Sequence, residues 1–354
     1  MKKFNQLGWS IFKLLILHWN REKFHHYLLS SVQVDVKNLA DTAAGLSQLS
    51  STGGSGGVLD IFYYPWKLSL NEHPRVVSAI QDLWASTYSS YNKRSISDTY
   101  RSIYSHPFNE FNPRKGFMYI DRVCFRVPTI ISESLFSKEG KKRKFLQRSL
   151  TPHLDCCPHA MFSDSSRKWR PIQAFIALTD TLQPNEGGFE ACLGLHREFD
   201  EWNRHRPVTG KSLTAPCVGD FTPIRPIEDK DIIDRFQHIP CRAGDLVCWD
   251  YRIPHANSRC NNSDIAREVV YIGLLPDVPL NRLYAEQQLQ QFRSGKLPAD
   301  QWHSSINNED NSYEFSEIGR SLMAMTTWSY YHYNYRYGLV IGHRMSWWVD
   351  AYHQ

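Results

Sequence analysis

From residue 150 onward the chain breaks into short β-rich runs separated by turn residues, and this rhythm limits the fold more than any other feature. "PIQAFIALTD" and "FEACLGLH" flank the Pro/Gly turn "TLQPNEGG". "HIPCRAGDLVCWDY" reads as two strands around a Gly244-Asp245 turn, and "REVVYIGLLP" as a last strand. An irregular excursion, "EWNRHRPVTGKSLTAPCVGDFTPI", interrupts the series. Short strands at this spacing predict a β-sandwich or barrel. Upstream, "GFMYIDRVCFRVP" (Gly116 to Pro128) alternates and is read as one strand, and "VLDIFYYPW" as a strand stopped by Pro65. Residues 1–48 read as helix, turn and helix. "HPRVVSAIQDLWASTY" has apolar residues at helical spacing and Pro74 in its first turn, and "LNRLYAEQQLQQFRSG" is a helix ending on Gly295. "SSTGGSGG" is expected to be a flexible loop, since it lacks the Gly-Lys-Ser/Thr ending of a phosphate loop.

Composition excludes more than it identifies. A net charge of +5 is too mild to indicate a nucleic-acid binder. The basic run "SKEGKKRKFLQRS" is read as a solvated loop, with a collar for an anionic substrate or an import signal as the sharper readings. The eight cysteines are scattered without a CxxC pair, so they are expected to be reduced thiols of an intracellular, cytoplasmic protein, most of them buried. "MKKFNQLGWSIFKLLILHW" starts like a signal peptide, but Lys13 interrupts its apolar run and no cleavage site follows. It is read as an amphipathic helix, and no stretch is long and apolar enough to predict a membrane span.

"TPHLDCCPHAMF" carries the chemistry. On a strand, His153 and Asp155 project from one face and can chelate one ion. An imidazole and a carboxylate are two-thirds of the triad that holds non-haem Fe(II). The third ligand is expected on a facing strand, and "GDLVCWDYRIPHANSRC" offers His255. Such a triad leaves open positions for a 2-oxo acid, whose far carboxylate needs a permanent cation. Arg267, opening "REVVYIG", suits it through its planar fork of donors, with Arg259 in a polar loop as the rival. A zinc site from Cys156, Cys157, His159 and His153 is the competing reading. It fits poorly, because adjacent cysteines on a strand face opposite ways. Gln173, Phe175, Ala177 and Thr179 share one strand face. If that face looks inward, Gln173 can hydrogen-bond the 2-oxo acid or substrate; in the other register it packs outside. Arg122 and Arg126 share a face at four-residue spacing, either meeting an anionic substrate or making surface ion pairs. His196 reads as structural or substrate-proximal.

His153-Leu154-Asp155, His255 and Arg267 resemble the His-x-Asp…His…Arg signature of the Fe(II)- and 2-oxoglutarate-dependent oxygenases. "IALTDTLQPNEGGFEACLGLHREF" and "GDLVCWDYRIPHANSRCNNSDIAREVVYI" are similar to segments of the phytanoyl-CoA dioxygenase-like family. The chain departs from that pattern at Glu186-Gly187-Gly188, where the family has Asn-Gly-Gly, and at Leu193-Gly194-Leu195-His196, its counterpart of the family's Pro-Gly-Ser-His-like element. The resemblance covers about residues 116–276. It implies a double-stranded β-helix (jelly roll, cupin-like) over residues 116–280. A helical region (1–115) and an aromatic-rich extension (281–354) are expected to buttress it. It implies a metal triad of His153, Asp155 and His255, with Arg267 and Gln173 at 2-oxoglutarate. The implied activity hydroxylates a small molecule with O2 while 2-oxoglutarate is decarboxylated to succinate and CO2. The substrate is expected to be anionic or partly hydrophobic, with neither nucleic acid nor membrane as partner. A non-catalytic jelly-roll binding protein, or an oxygenase acting on nucleic acid or protein, is the alternative.

Overall fold

A computed structural model describes residues 19–90, 103–108, 110–137, 145–158, 168–205, 217, 220–298 and 312–328. The N-terminal eighteen residues, most of the basic run, His159 and the aromatic tail therefore lie outside the described residues. In chain order the strands are β1 (Val58–Leu59), β2 (Gly116–Tyr119), β3 (Val123–Arg126), β4 (His153–Leu154), β5 (Ile172–Ala177), β6 (Phe189–Cys192), β7 (Thr222–Pro223), β8 (Phe236–His238), β9 (Leu246–Asp250), β10 (His255–Asn257) and β11 (Arg267–Pro276).

These strands form two antiparallel sheets. The larger runs β1-β3-β11-β5-β9, with β2 also on β11, and the smaller runs β7-β4-β10-β6-β8. No hydrogen-bonded ladder among the described residues closes them into a barrel. Strand alternation sorts the side chains of the large sheet. Cys124, Phe175, Ala177, Trp249 and Val269 point to one face and pack with Phe189 and Ala191 of the small sheet. Val123, Phe125, Ile172, Ala174, Ile176, Val270, Ile272 and Leu274 point to the other face, into a core shared with the helices. Both faces of β5 and β11 are thus covered, which is why their sequences are apolar almost without a break.

The helices supply that outer layer. The helix at 19–32 buries Phe24 and Leu28. Its Arg21 and His25 reach Glu268 on the outer face of β11, at 2.8 and 2.9 Å. The helices Pro65–Asn71, Pro74–Ser86 and Pro279–Arg293 each begin with proline, whose missing N–H costs nothing in a first turn. The last ends as expected, with Gly295 at φ +62°. Pro65 therefore opens a helix instead of stopping a strand, and β1 is only two residues long. Among the described residues no helix is long and apolar enough to cross a membrane.

Three further expectations change. "GFMYIDRVCFRVP" is two strands, β2 and β3, laid end to end along β11. Tyr119 pairs with Gly273 and Val123 with Val270, so three residues oppose two and the chain bulges at 120–122. The Gly/Ser run is a packed turn. Phe125 N–H donates to the Gly57 carbonyl at 2.8 Å, and Gly57 has φ +74°, where a Cβ would sit 2.7 Å from the Arg126 Cα. Its glycines permit close backbone approach where mobility was expected. Finally, Cys157 and Cys217 form a disulfide, so these two are not free thiols. Cys124, Cys156, Cys192 and Cys241 are buried and free, as anticipated for most.

Candidate metal centre

His153 opens β4 and Asp155 follows it two residues on, so both leave the same face. β10 runs antiparallel to β4 with His255 directly opposite His153. The ligand atoms of His153, Asp155 and His255 lie within 4.8 Å of one another. The imidazoles are buried, with ring centroids 4.5 Å apart, and Asp155 retains 36% of its side-chain exposure. Phe221 stacks on His153 at 5.0 Å, while Phe189 and Trp249 flank His255 at 5.7 and 5.0 Å.

The hydrogen bonds fix the tautomers. His153 Nδ1 is 2.7 Å from the Thr151 carbonyl oxygen, and His255 Nδ1 is 3.0 Å from that of Ile253. A carbonyl only accepts, so each Nδ1–H donates. In a neutral imidazole this leaves the Nε2 lone pair for another partner. His153 Nε2 is 3.5 Å from Asp155 Oδ1, and His255 Nε2 is 3.5 Å from Asp155 Oδ2. Burial, then the neighbouring His255, push the His153 imidazole down to about 4, so it is neutral at pH 7. Burial alone would raise the Asp155 carboxyl. The imidazoles of His255 and His153, and the Arg170 guanidinium, outweigh it and hold the group well below the usual carboxylate range. With both rings neutral, two lone pairs and a carboxylate converge on one point, an arrangement that a cation between them would stabilise.

The neighbours hold Asp155 in place. Gln173 Nε2 donates to Asp155 Oδ2 at 2.8 Å, so Gln173 faces inward. Arg170, just ahead of β5, sits 3.7 Å from the same oxygen while pairing with Asp121 at 2.8 Å and lying over the Tyr119 ring. Arg267 lies one row deeper. Asn257, two residues past His255 on the same strand face, accepts from Arg267 Nη1 at 3.0 Å. The guanidinium also lies 5.4 Å from the Phe175 ring centroid and 3.4 Å from Cys124 Sγ. Its Nη2 is buried without a hydrogen-bond partner, and among the described residues no carboxylate ion-pairs with it. Arg259 is exposed.

Other candidates separate. The bulge sends Arg122 to Asp60, at 2.6 Å, and leaves Arg126 inside. His196 sits on a short 3-10 turn outside the triad, with its ring 6.4 Å from Tyr104. Thr179 Oγ1 accepts from the Glu268 backbone N–H. Arg170, Asn257 and Phe221 were not singled out from sequence. Only Asn257 left a signal, since "HAN" puts it on the histidine's own strand face.

A family model described as Gig2-like matches residues 230–325, a segment that includes His255 and Arg267. No curated protein matches the sequence significantly. The solved structures include hypothetical protein JW0805 of Escherichia coli, with TM-score 0.56 and 17% identity over 76% of this chain and 70% of that one. A Salmonella typhimurium LT2 protein, provisionally called an oxidoreductase, aligns with TM-score 0.60 and 14% identity over 88% and 77%. The GlcNAc inducible gene 2 protein of Candida albicans aligns with TM-score 0.52 and 15% identity over 82% and 69%. The chain therefore shares the architecture of these three proteins and is similar to the Gig2-like family over residues 230–325.

Proposed function

We propose that the chain is an Fe(II)- and 2-oxoglutarate-dependent dioxygenase that hydroxylates an unactivated C–H bond of a small molecule. The observation that carries this reading is the paired tautomer. Two buried histidines, each with Nδ1–H committed to a backbone carbonyl, turn their Nε2 atoms toward one carboxylate. Two imidazoles and one carboxylate are the donor set of an iron site that keeps open positions, and no cysteine joins them, which speaks against structural zinc. In this reading His153, Asp155 and His255 hold the metal. Bound iron and 2-oxoglutarate supply the oxidising chemistry with O2, ending in succinate and CO2.

The chain's own residues bind and orient. The Thr151 and Ile253 carbonyls hold the two rings in their ligand tautomers. Gln173 fixes the Asp155 carboxylate by its hydrogen bond, so its part is to position the ligand. Arg267 receives the distal carboxylate of 2-oxoglutarate. A buried guanidinium with an unsatisfied nitrogen is costly alone and becomes favourable once an anion reaches it. Phe189, Trp249 and Phe221 keep water from the histidines.

We place this site in a double-stranded β-helix core spanning residues 116–280, made by the two facing sheets. Residues 1–115 and 281–354 are read as its helical buttress. The affiliation we infer is with the phytanoyl-CoA dioxygenase-like branch, on the strength of its signature residues. The test is succinate formation from 2-oxoglutarate by anaerobically iron-loaded protein exposed to O2, alongside metal binding by calorimetry. Wild type should bind one metal and form succinate, and His153→Ala should do neither. A wild-type protein that takes up no divalent metal would overturn the reading.

A further inference from the structure

We propose that Arg126 is a second cation at the floor of the co-substrate site. Together with Arg267 it grips one carboxylate, and so selects dicarboxylic over monocarboxylic 2-oxo acids. This rests on the 2-oxoglutarate reading above.

Arg126 and Arg267 are direct partners on the antiparallel strands β3 and β11. Partners in such a pair project from the same face, with Cβ atoms roughly 4.5–5.5 Å apart. That face is the inner one. Cys124, two residues before Arg126, packs with Phe175 and Val269 between the sheets, and its Sγ touches Arg267 Nη1. Both arginines are nearly sealed from solvent, at 4% and 2% exposure.

Their hydrogen bonds are incomplete in a complementary way. Arg126 Nη2 donates to the Arg259 carbonyl at 2.8 Å, and Nη1 has no partner. Arg267 Nη1 is held by Asn257 and Cys124, the Tyr271 side chain also bonds the guanidinium, and Nη2 itself has no partner. One unsatisfied N–H-bearing nitrogen per guanidinium matches the two oxygens of a single carboxylate.

The carboxylates nearby do not answer these charges. Glu268 lies on the opposite face of β11, held by Arg21 and His25. Glu190 is felt by Arg126 electrostatically, but no ion pair joins them. Burial, and Arg267 beside it, push the Arg126 guanidinium below its ordinary range, the behaviour of a cation lacking its counter-ion.

The packing keeps Arg126 there at a cost. The Gly57 backbone sits against its Cα so closely that no side chain fits. Asn261 Nδ2 donates to the Arg126 carbonyl at 3.0 Å, and a Cβ on Gly187 would lie 3.5 Å from its Cδ. Two buried like charges held side by side repel, and the arrangement becomes favourable when an anion joins them.

The experiment measures anaerobic binding of 2-oxoglutarate and of 2-oxopentanoate to Mn(II)-loaded protein by calorimetry. The two acids have the same chain length, and the second lacks the distal carboxylate. Wild type, Arg126→Met, Arg126→Lys and Arg267→Met are compared. Arg126→Met is expected to weaken 2-oxoglutarate roughly 10- to 100-fold, the worth of a charge-assisted hydrogen bond, and to leave 2-oxopentanoate unchanged. Arg126→Lys keeps the charge without the fork and should lose part of the same selectivity, which gives an answer if the methionine variant does not fold. If both Arg126 variants bind 2-oxoglutarate as wild type does while Arg267→Met loses it, Arg126 is structural and the proposal fails. If wild type binds Mn(II) but neither acid, the 2-oxoglutarate reading itself is wrong.

Discussion

Gln173→Met removes one hydrogen bond from the candidate metal centre while preserving side-chain length. Gln173 is 1% exposed, and its Nε2 donates to Asp155 Oδ2 at 2.8 Å, so the lost bond is buried and charge-assisted. Such bonds contribute about 1.5–3 kcal/mol. At about 1.4 kcal/mol per factor of ten, the metal should bind roughly 10- to 100-fold more weakly. Outer-shell partners of metal ligands in other proteins show the same range, about 10–100-fold. Metal-free stability should fall as well, by roughly 1–3 kcal/mol, because the same buried bond is made without metal. The assay is Mn(II) affinity by competition with a chelator, run beside urea unfolding of the metal-free protein. Affinity within twofold of wild type would refute the reasoning, since the hydrogen bond would then not be positioning a ligand. A large loss of metal-free stability with affinity unchanged would assign Gln173 to the core instead.

Other perturbations test the frame around the site. Gly57→Ala adds left-handed strain at φ +74° to a 2.7 Å approach on Arg126. It should cost roughly 2–5 kcal/mol in urea unfolding, and a cost below about 1 kcal/mol would contradict the packed-turn description. Asp250→Asn strips Arg252, itself buried, of its carboxylate at 2.8 Å and should cost roughly 3–5 kcal/mol at pH 7. Burial pushes Asp250 up, but Arg252, then His196 and Tyr88, prevail and leave it lowered. Its stabilisation is therefore complete above the unfolded value near 3.9 and fades as pH falls through the lower folded one. Wild type and variant unfolding midpoints should converge as pH falls below the folded value. Reducing the Cys157–Cys217 disulfide opens a link across 60 residues and should remove up to about 4 kcal/mol, read as a lower urea midpoint that Cys217→Ser reproduces without reductant.

The grouping of the candidate site residues was legible because strand periodicity is local. His153 and Asp155 two apart, and Gln173 and Phe175 two apart, share a face by backbone geometry alone. Which face looked inward was not legible for Gln173, because β5 is apolar on both sides and alternation carries no sign there. The strand read over Gly116 to Pro128 failed for a related reason. A one-residue bulge depends on pairing with β11, hundreds of ångströms of contour away along the chain. That bulge breaks the shared face read for Arg122 and Arg126, so one meets Asp60 and the other meets Arg267.

By itself the sequence determined which residues can be ligands and cations, since residue type and alternation are properties of the chain. It also determined the helix that begins at Pro74 and the one that stops at Gly295, because backbone restraint at proline and glycine acts within a turn. Only the tertiary structure set His255 opposite His153, turned both Nε2 atoms toward Asp155, and laid Arg126 beside Arg267. It also joined Cys157 to Cys217. These are pairings between distant segments. They are fixed by which surfaces the two sheets bury against each other, and no local rule of the backbone encodes that choice.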